Sequence, residues 1–323
     1  MTTNRLLLCL GLLAASCTSS DSEHTETSGH STDGTGGVSA TSGTTSGSTL
    51  GESSGSVETS STGSSSGDPT TTSETGGVAS IRFAHMSVEQ RPVMICADGA
   101  AVAPFEARSI AYPEVTAYVA IAAAAEFSLV PEGDDCAAES ALSVPLELGE
   151  NELATVVLYG DPGLPERPLE LAVLLDASGT PPTNPDLARA RVFHTDTDIG
   201  PIDVGVSPAE GVRLHVFGGV PYGGRASGSD VGQLGERHYV DGIPVVLPAE
   251  RLNIWEHESP TVLGWFSTED PPFEANGVFS VFAAGRVSTG TPEAVICRDE
   301  VESATERAPW AACEVFVPNR PDR

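Results

Sequence analysis

The chain contains no lysine. All 16 of its basic residues are arginine, set against 45 acidic ones, and the formal net charge is −29. Without lysine there is no phosphate-binding P-loop, no Schiff base and no Ser–Lys nucleophile pair. Positive charge is too sparse to cluster along a phosphate backbone, which argues against a nucleic-acid partner. No Cys-x-x-Cys spacing occurs, and His257 has no second histidine at the spacing of a zinc helix. Ser227 lies in a glycine-rich stretch but lacks the G-x-S-x-G surround of a nucleophile elbow. Apolar runs are all too short to span a bilayer as a helix. The acidity itself suits a solvated, soluble surface.

The N-terminus carries a targeting pattern instead. Arg5 precedes a short apolar stretch at 6–13, and Ala14, Ala15 and Ser16 lead into Cys17. The stretch has the length of a signal rather than of a span. Small residues before a cysteine resemble the lipobox of bacterial lipoproteins, in which that cysteine becomes the acylated first residue. Residues 1–16 therefore read as a lipoprotein signal peptide and Cys17 as the lipidation site. The usual leucine three places before the cysteine is Ala14 here, so ordinary cleavage after Ser16 is the competing reading.

Cysteine parity favours the lipid. Cys9 leaves with the signal, and acylation of Cys17 then leaves Cys96, Cys136, Cys297 and Cys313 as an even set in an oxidising compartment. Thr18 follows Cys17, not the aspartate that retains lipoproteins in the inner membrane, so resemblance to that sorting rule favours the outer membrane. Residues 17–77 are almost entirely Ser, Thr and Gly with no apolar period, and read as a disordered tether. Its r.m.s. span is roughly 40–45 Å.

The folded part opens twice with the same landmarks. Arg82, His85 and Pro92 recur with identical spacing as Arg191, His194 and Pro201. In each copy an alternating run leads into the histidine and another follows the proline: Ile81 and Phe83, then Val93 and Ile95; Ala190 and Val192, then Ile202 and Val204. Period-two alternation marks half-buried strands. A repeated opening implies a repeated domain. Further strand candidates follow at 127–130, 143–146, 153–159 and 169–175, and again at 212–217, 244–247, 252–255, 262–266, 277–285 and 293–297. Residues 301–307 read as a short helix. The expectation is all-β: two tandem β-sandwiches (immunoglobulin-like or transthyretin-like), the first at 78–178 and the second at 187–323, joined by the Pro-rich stretch at 178–186. The second carries a Gly-rich insertion and a C-terminal extension. Disulfides are expected within each unit, Cys96 with Cys136 and Cys297 with Cys313. They contribute roughly 4 and 3 kcal/mol on the chain-entropy account. The other pairings would cross between units.

The run R-V-x-H-x-x-x-D-x-G-P-I-D-V at 191–204 resembles the opening signature of a bacterial family, domain of unknown function 4397. The tandem layout, the tyrosine-containing turn at 112–118, GENELATVVLYG and LELAVLLD are similar to its later segments. Asp203 fits that signature, whereas Met94 stands there in the first copy; Asp98-Gly99 fits in the first copy, and Ser207-Pro208 stands there in the second. The resemblance implies a secreted or lipid-anchored pair of sandwiches in the cell envelope, with no assigned catalytic residue, cofactor or substrate.

Among candidate site residues, phase places His85 and His194 on the core face, where a neutral imidazole can bond a loop carbonyl and fix the corner. The sharper alternative adds Asp196, Asp198 and Asp203 as Ca²⁺ ligands, although nothing completes a calcium loop. His215, Asp230, His238 and Asp241 are the residues from which a triad around Ser227 would be assembled. The three tryptophans read as core or interface anchors.

The functional expectation is a non-catalytic, lipid-anchored envelope protein making structural or adhesive contacts with protein or polysaccharide. Those contacts are assigned to residues 218–235, whose deletion is expected to spare folding. A Ca²⁺-dependent carbohydrate binder and a secreted hydrolase are the alternatives.

Overall fold

The computed structural model of the chain describes residues 77–138, 142–177, 180–246, 251–267, 273–288, 291–299, 310–311 and 313–319. The signal segment, Cys17, the tether to residue 76 and the helix expected at 301–307 lie outside the described residues. Within them the fold is all-β, apart from one 3-10 turn at Glu236–His238. No helix there is long and apolar enough to cross a membrane.

The first sandwich uses eight strands: β1 (Val78–His85), β2 (Val93–Ala97), β3 (Ala100–Ala101), β4 (Val119–Ala122), β5 (Ala124–Pro131), β6 (Leu142–Glu147), β7 (Leu153–Tyr159) and β8 (Glu170–Leu175). One sheet runs β4-β1-β7-β8 and the other β3-β2-β5-β6. Side chains alternate across a strand, so one face of each sheet turns inward. Ile81, Phe83, Val156 and Leu158 meet Val93, Ile95, Phe127 and Leu129 in one buried cluster. β1 pairs with β7 in parallel and with β4 antiparallel. The first two strands lie in different sheets, unlike an immunoglobulin domain, where they share one.

The second sandwich is built from β9 (Leu187–His194), β10 (Ile202–Ala209), β11 (Val212–Val220), β12 (Gln233–Leu234), β13 (Val240–Pro244), β14 (Arg251–Glu256), β15 (Val262–Ser267), β16 (Val278–Arg286), β17 (Thr291–Arg298) and β18 (Cys313–Phe316). Its sheets run β12-β13-β9-β16-β17-β18 and β11-β10-β14-β15. With edge strands β12 and β18 set aside, the order repeats the first sandwich strand for strand. The parallel pair β1–β7 recurs as β9–β16. Gly160 and Gly285 end the equivalent strands β7 and β16, both at positive φ (99° and 89°). A Cβ at Gly160 would stand 2.0 Å from the Pro168 carbonyl oxygen, so only glycine closes that turn.

The strands at the centre depart from the half-buried expectation. All seven residues of β7 are buried, as are the last five of β1 and of β9. The reason is that the outer faces of the two repeated sheets pack on each other. Val157, Tyr159 and Leu174 join Phe193, Phe282 and Val295 in a third apolar cluster. Burial on both faces is what makes LATVVLY a continuous apolar run. Both sandwiches fall within one compact unit.

The C-terminal segment, assigned with the second sandwich at 187–323, also reaches the first. Trp310 bridges Thr116 of the first, and its ring lies 6.1 Å from Phe105. Ala311 N donates to Val115 O at 3.0 Å. The indole covers an apolar edge that the first sandwich leaves open. Both expected disulfides form, Cys96–Cys136 and Cys297–Cys313, with Cα separations of 5.7 and 4.2 Å. Neither crosses between the sandwiches.

Candidate functional site

The duplicated landmarks do two different jobs, set by strand phase. His85 and His194, in phase with the inter-sheet core, are fully buried. Each turns Nε2 toward the carbonyl six residues on: His194 to Gly200 at 3.0 Å, His85 to Arg91 at 3.4 Å. Each of those carbonyls precedes the repeated proline, so the imidazole ties the end of one strand to the start of the next. Pro92 O and Pro201 O then accept the amides of Glu132 and His257. Burial drives both imidazoles toward the neutral form, His194 down to about 4.

Arg82 and Arg191 occupy the opposite phase and point between the sandwiches. Arg82 Nη2 pairs with Asp299 of the second sandwich, and Arg191 Nη2 pairs with Asp176 of the first. Each Nε donates within its own sandwich, Arg82 to Thr155 Oγ1 at 2.8 Å and Arg191 to Ser280 Oγ at 2.9 Å. Thr155 and Ser280 in turn donate to Asp176 and Asp299. Tyr118 donates to Asp176, and Tyr239 to Asp299 at 2.6 Å. Each guanidinium sits 4.9 Å from the ring of its own sandwich's tyrosine. The arrangement is reciprocal: each half supplies the cation for the other half's carboxylate.

All of these ionic side chains are essentially inaccessible. Burial opposes charge on both arginines, but the facing carboxylates and tyrosines overcome it and hold both above their ordinary range. Burial alone would raise Asp176; Arg191 and Arg82, with hydroxyls from Tyr118 and Thr155, hold it below the usual carboxylate range. The tyrosines are pushed up by burial and remain phenols. Tyr239 and Asp299 were not singled out by the sequence; Tyr118 and Asp176 fall in the quoted 112–118 turn and in LELAVLLD, but the repeat carried the arginines with no sign that these were their partners.

A second cluster surrounds Asp203, at the site of Met94 in the first copy. Its Oδ1 accepts the Gly219 amide at 2.7 Å and meets His257 Nδ1 at 2.9 Å. His215 Nε2 lies 3.9 Å from Asp203 Oδ2, and its Nδ1 lies 3.0 Å from Asp230. Of the residues considered for a triad, His215 and Asp230 come together. Asp241 instead pairs with Arg189 at 2.7 Å. His238 ends the 3-10 turn. Ser227 donates its hydroxyl to the Gly218 carbonyl at 3.0 Å, not to an imidazole.

Asp196 and Asp198, the Ca²⁺ candidates, are occupied by backbone. Asp196 accepts the amides of Asp198 (2.8 Å) and Val287 (3.0 Å). Asp198 accepts the Ser288 amide and hydroxyl. Both thereby pin the turn between β16 and β17. Burial raises Asp196 to about 6, with Asp198 adding repulsion and the two amides opposing the rise. No group of three or more His, Cys, Asp or Glu suited to a metal occurs among the described residues.

The Gly-rich insertion is not a free loop. Tyr222 lies against Tyr159 at 5.7 Å and under Arg167 at 4.5 Å, both of the first sandwich. Gly223, at φ 64°, would place a Cβ 3.0 Å from the Tyr159 ring. Ala226 is buried and Arg225 bridges Phe193. Removing residues 218–235 would take out part of the junction, so the expectation that deletion spares folding does not hold.

Fold and junction together define an all-β protein of two duplicated, face-packed sandwiches. Residues 79–205 match the family described as domain of unknown function (DUF4397). The match runs from β1 into β10 and takes in both histidine corners. No curated protein matches the chain.

Proposed function

We propose that this is a non-catalytic cell-envelope lipoprotein that presents its two sandwiches as one rigid head for structural or adhesive contacts with protein or polysaccharide. The observation that carries the reading is the reciprocal pair Arg82–Asp299 and Arg191–Asp176. These groups neutralise one another across the junction and keep the halves from moving independently. A rigid head on a long polar stalk suits display better than turnover. The even set of two disulfides left after Cys17 supports lipidation and an oxidising compartment. Thr18 after Cys17 favours the outer membrane.

The test is metabolic labelling of the full chain with a palmitate analogue in a bacterium with two membranes. Wild type should take up label and fractionate with the outer membrane, and Cys17→Ser should do neither. An unlabelled wild type removes the anchor from the proposal. The display role is read separately, by co-sedimentation of the lipid-free Cys17→Ser chain with purified insoluble envelope material.

One observation favours a hydrolase instead: Asp203 holds His257 as a base-orienting carboxylate would, and both Ser227 Oγ and His257 Cε1 approach Gly219. The hydroxyl donated to Gly218 O argues against it. Labelling of Ser227 by a fluorophosphonate probe would replace the non-catalytic reading.

A further inference from the structure

The two sandwiches carry the same arginine, tyrosine and aspartate in the ionic junction, so the places elsewhere in the repeated sheet where they differ in charge are informative. At the register pair where β1 and β4 carry Ser80 opposite Ala120, β9 and β13 carry Arg189 opposite Asp241. Strand β12 and the turn at Glu236–His238 have no counterpart in the first sandwich. These additions converge on one place. Arg189, Asp241, Gln233, Leu234, Glu236 and Arg237 wall a cavity of about 470 Å³. That volume lies in the range of small-molecule sites, about 300–1,000 Å³.

We infer that this cavity binds a neutral sugar, a mono- or disaccharide unit of an envelope glycan; the inference rests on the adhesive reading above and names its ligand. Both arginines of the walls are already paired. Arg189 Nη2 pairs with Asp241 Oδ2 at 2.7 Å, and Arg237 Nη2 with Glu152 Oε1 at 2.7 Å. An anionic ligand would have to break a pair, whereas a hydroxyl, donor and acceptor at once, can use the remaining guanidinium N–H groups and carboxylate lone pairs together. Thr183 donates to Asp241 at 3.0 Å. Burial would raise Asp241, but Arg189 and Thr183 hold it below the usual carboxylate range, so it stays an acceptor at neutral pH. Leu234, 37 % exposed, offers an apolar surface to the C–H face of a pyranose.

The test is saturation-transfer NMR on the Cys17→Ser full chain, with maltose, cellobiose and N-acetylglucosamine as neutral probes and citrate and sulfate as anionic ones. Transfer to at least one neutral sugar is expected. R189S/D241A restores the residues that the first sandwich carries at this register and should weaken that sugar at least tenfold. Gln233→Ala, at an exposed wall position, should weaken it severalfold with an unchanged thermal midpoint. The proposal fails if no neutral probe binds at millimolar concentration, if both variants bind as wild type does, or if citrate or sulfate displaces the sugar. Loss of sugar binding with intact envelope co-sedimentation would overturn the cavity assignment and leave the display role standing. Sugar binding without envelope co-sedimentation would do the reverse.

Discussion

At the scale of single residues, the junction arginines carry the largest consequences. Arg82 neutralises Asp299 where neither side chain meets solvent. Replacing one partner strands the other as a buried charge, which costs about 3–5 kcal/mol, whereas replacing both with apolar groups of similar size is often neutral. Arg82→Met should therefore lower the urea midpoint sharply, and adding Asp299→Leu should recover much of the loss. A double variant no better than the single one would mean that the ion pair itself, not the avoidance of an orphan charge, holds the junction. His194 gives a pH-dependent counterpart. Its folded value lies near 4, below the ordinary 6.5, so between those limits the unfolded chain binds more protons and stability falls as pH drops. Unfolding free energy should lose roughly 2 kcal/mol between pH 7 and pH 4.5 through this residue. His194→Gln, which can still donate to Gly200 O, should flatten that slope. Asp196 acts with the opposite sign: its folded value is raised to about 6, so its contribution falls as pH rises from 3.8 toward 6. For that reason the His194 effect is to be read as the difference between wild type and variant.

At the scale of elements, the insertion between β11 and β12 is better understood as two pieces. Its first part replaces, in the second sandwich, the segment that carries Tyr112 and Thr116 in the first. His85 N donates to Glu114 O, and His194 N donates to Gly224 O in the same place. Gly223→Ala pushes a methyl toward the Tyr159 ring from a positive-φ position and should destabilise the whole protein by about 1–3 kcal/mol, measured by urea unfolding. An unchanged midpoint would show that the insertion does not support the junction. The later part, with β12 and the 3-10 turn, walls the cavity and reaches the first sandwich at its rim, where Arg237 pairs with Glu152. This division explains what the sequence made legible and what it did not. Alternation around Ile81 and Phe83 placed strands, sheet faces and the histidine corners, because those contacts follow from local period. Cysteine parity and proximity led to both staples for the same reason. Arg82 and Asp299 lie 217 positions apart, and nothing near either residue specifies the other. The second buried face of β7 could be seen only as an unusually apolar strand, and Trp310 reaches the first sandwich from a segment with no repeat to align it.

At the scale of the whole molecule, two sandwiches that share buried charges are expected to behave as one. The reciprocal pairs, the apolar cluster spanning Tyr159 and Phe282, and the return of Trp310 to the first sandwich all cross the junction. If either half unfolded alone, the other would keep an arginine and an aspartate without partners and would expose an apolar sheet face. Partial unfolding therefore costs nearly as much as complete unfolding, which is the condition for a single cooperative transition. Calorimetry at neutral pH should show one endotherm whose calorimetric and van't Hoff enthalpies agree. Arg82→Met, by relaxing the junction without touching either inter-sheet core, should broaden that endotherm or split it in two. Two resolved transitions in the wild-type protein would mean that the sandwiches are strung together rather than joined. The rigid head on which the display role depends would then be absent.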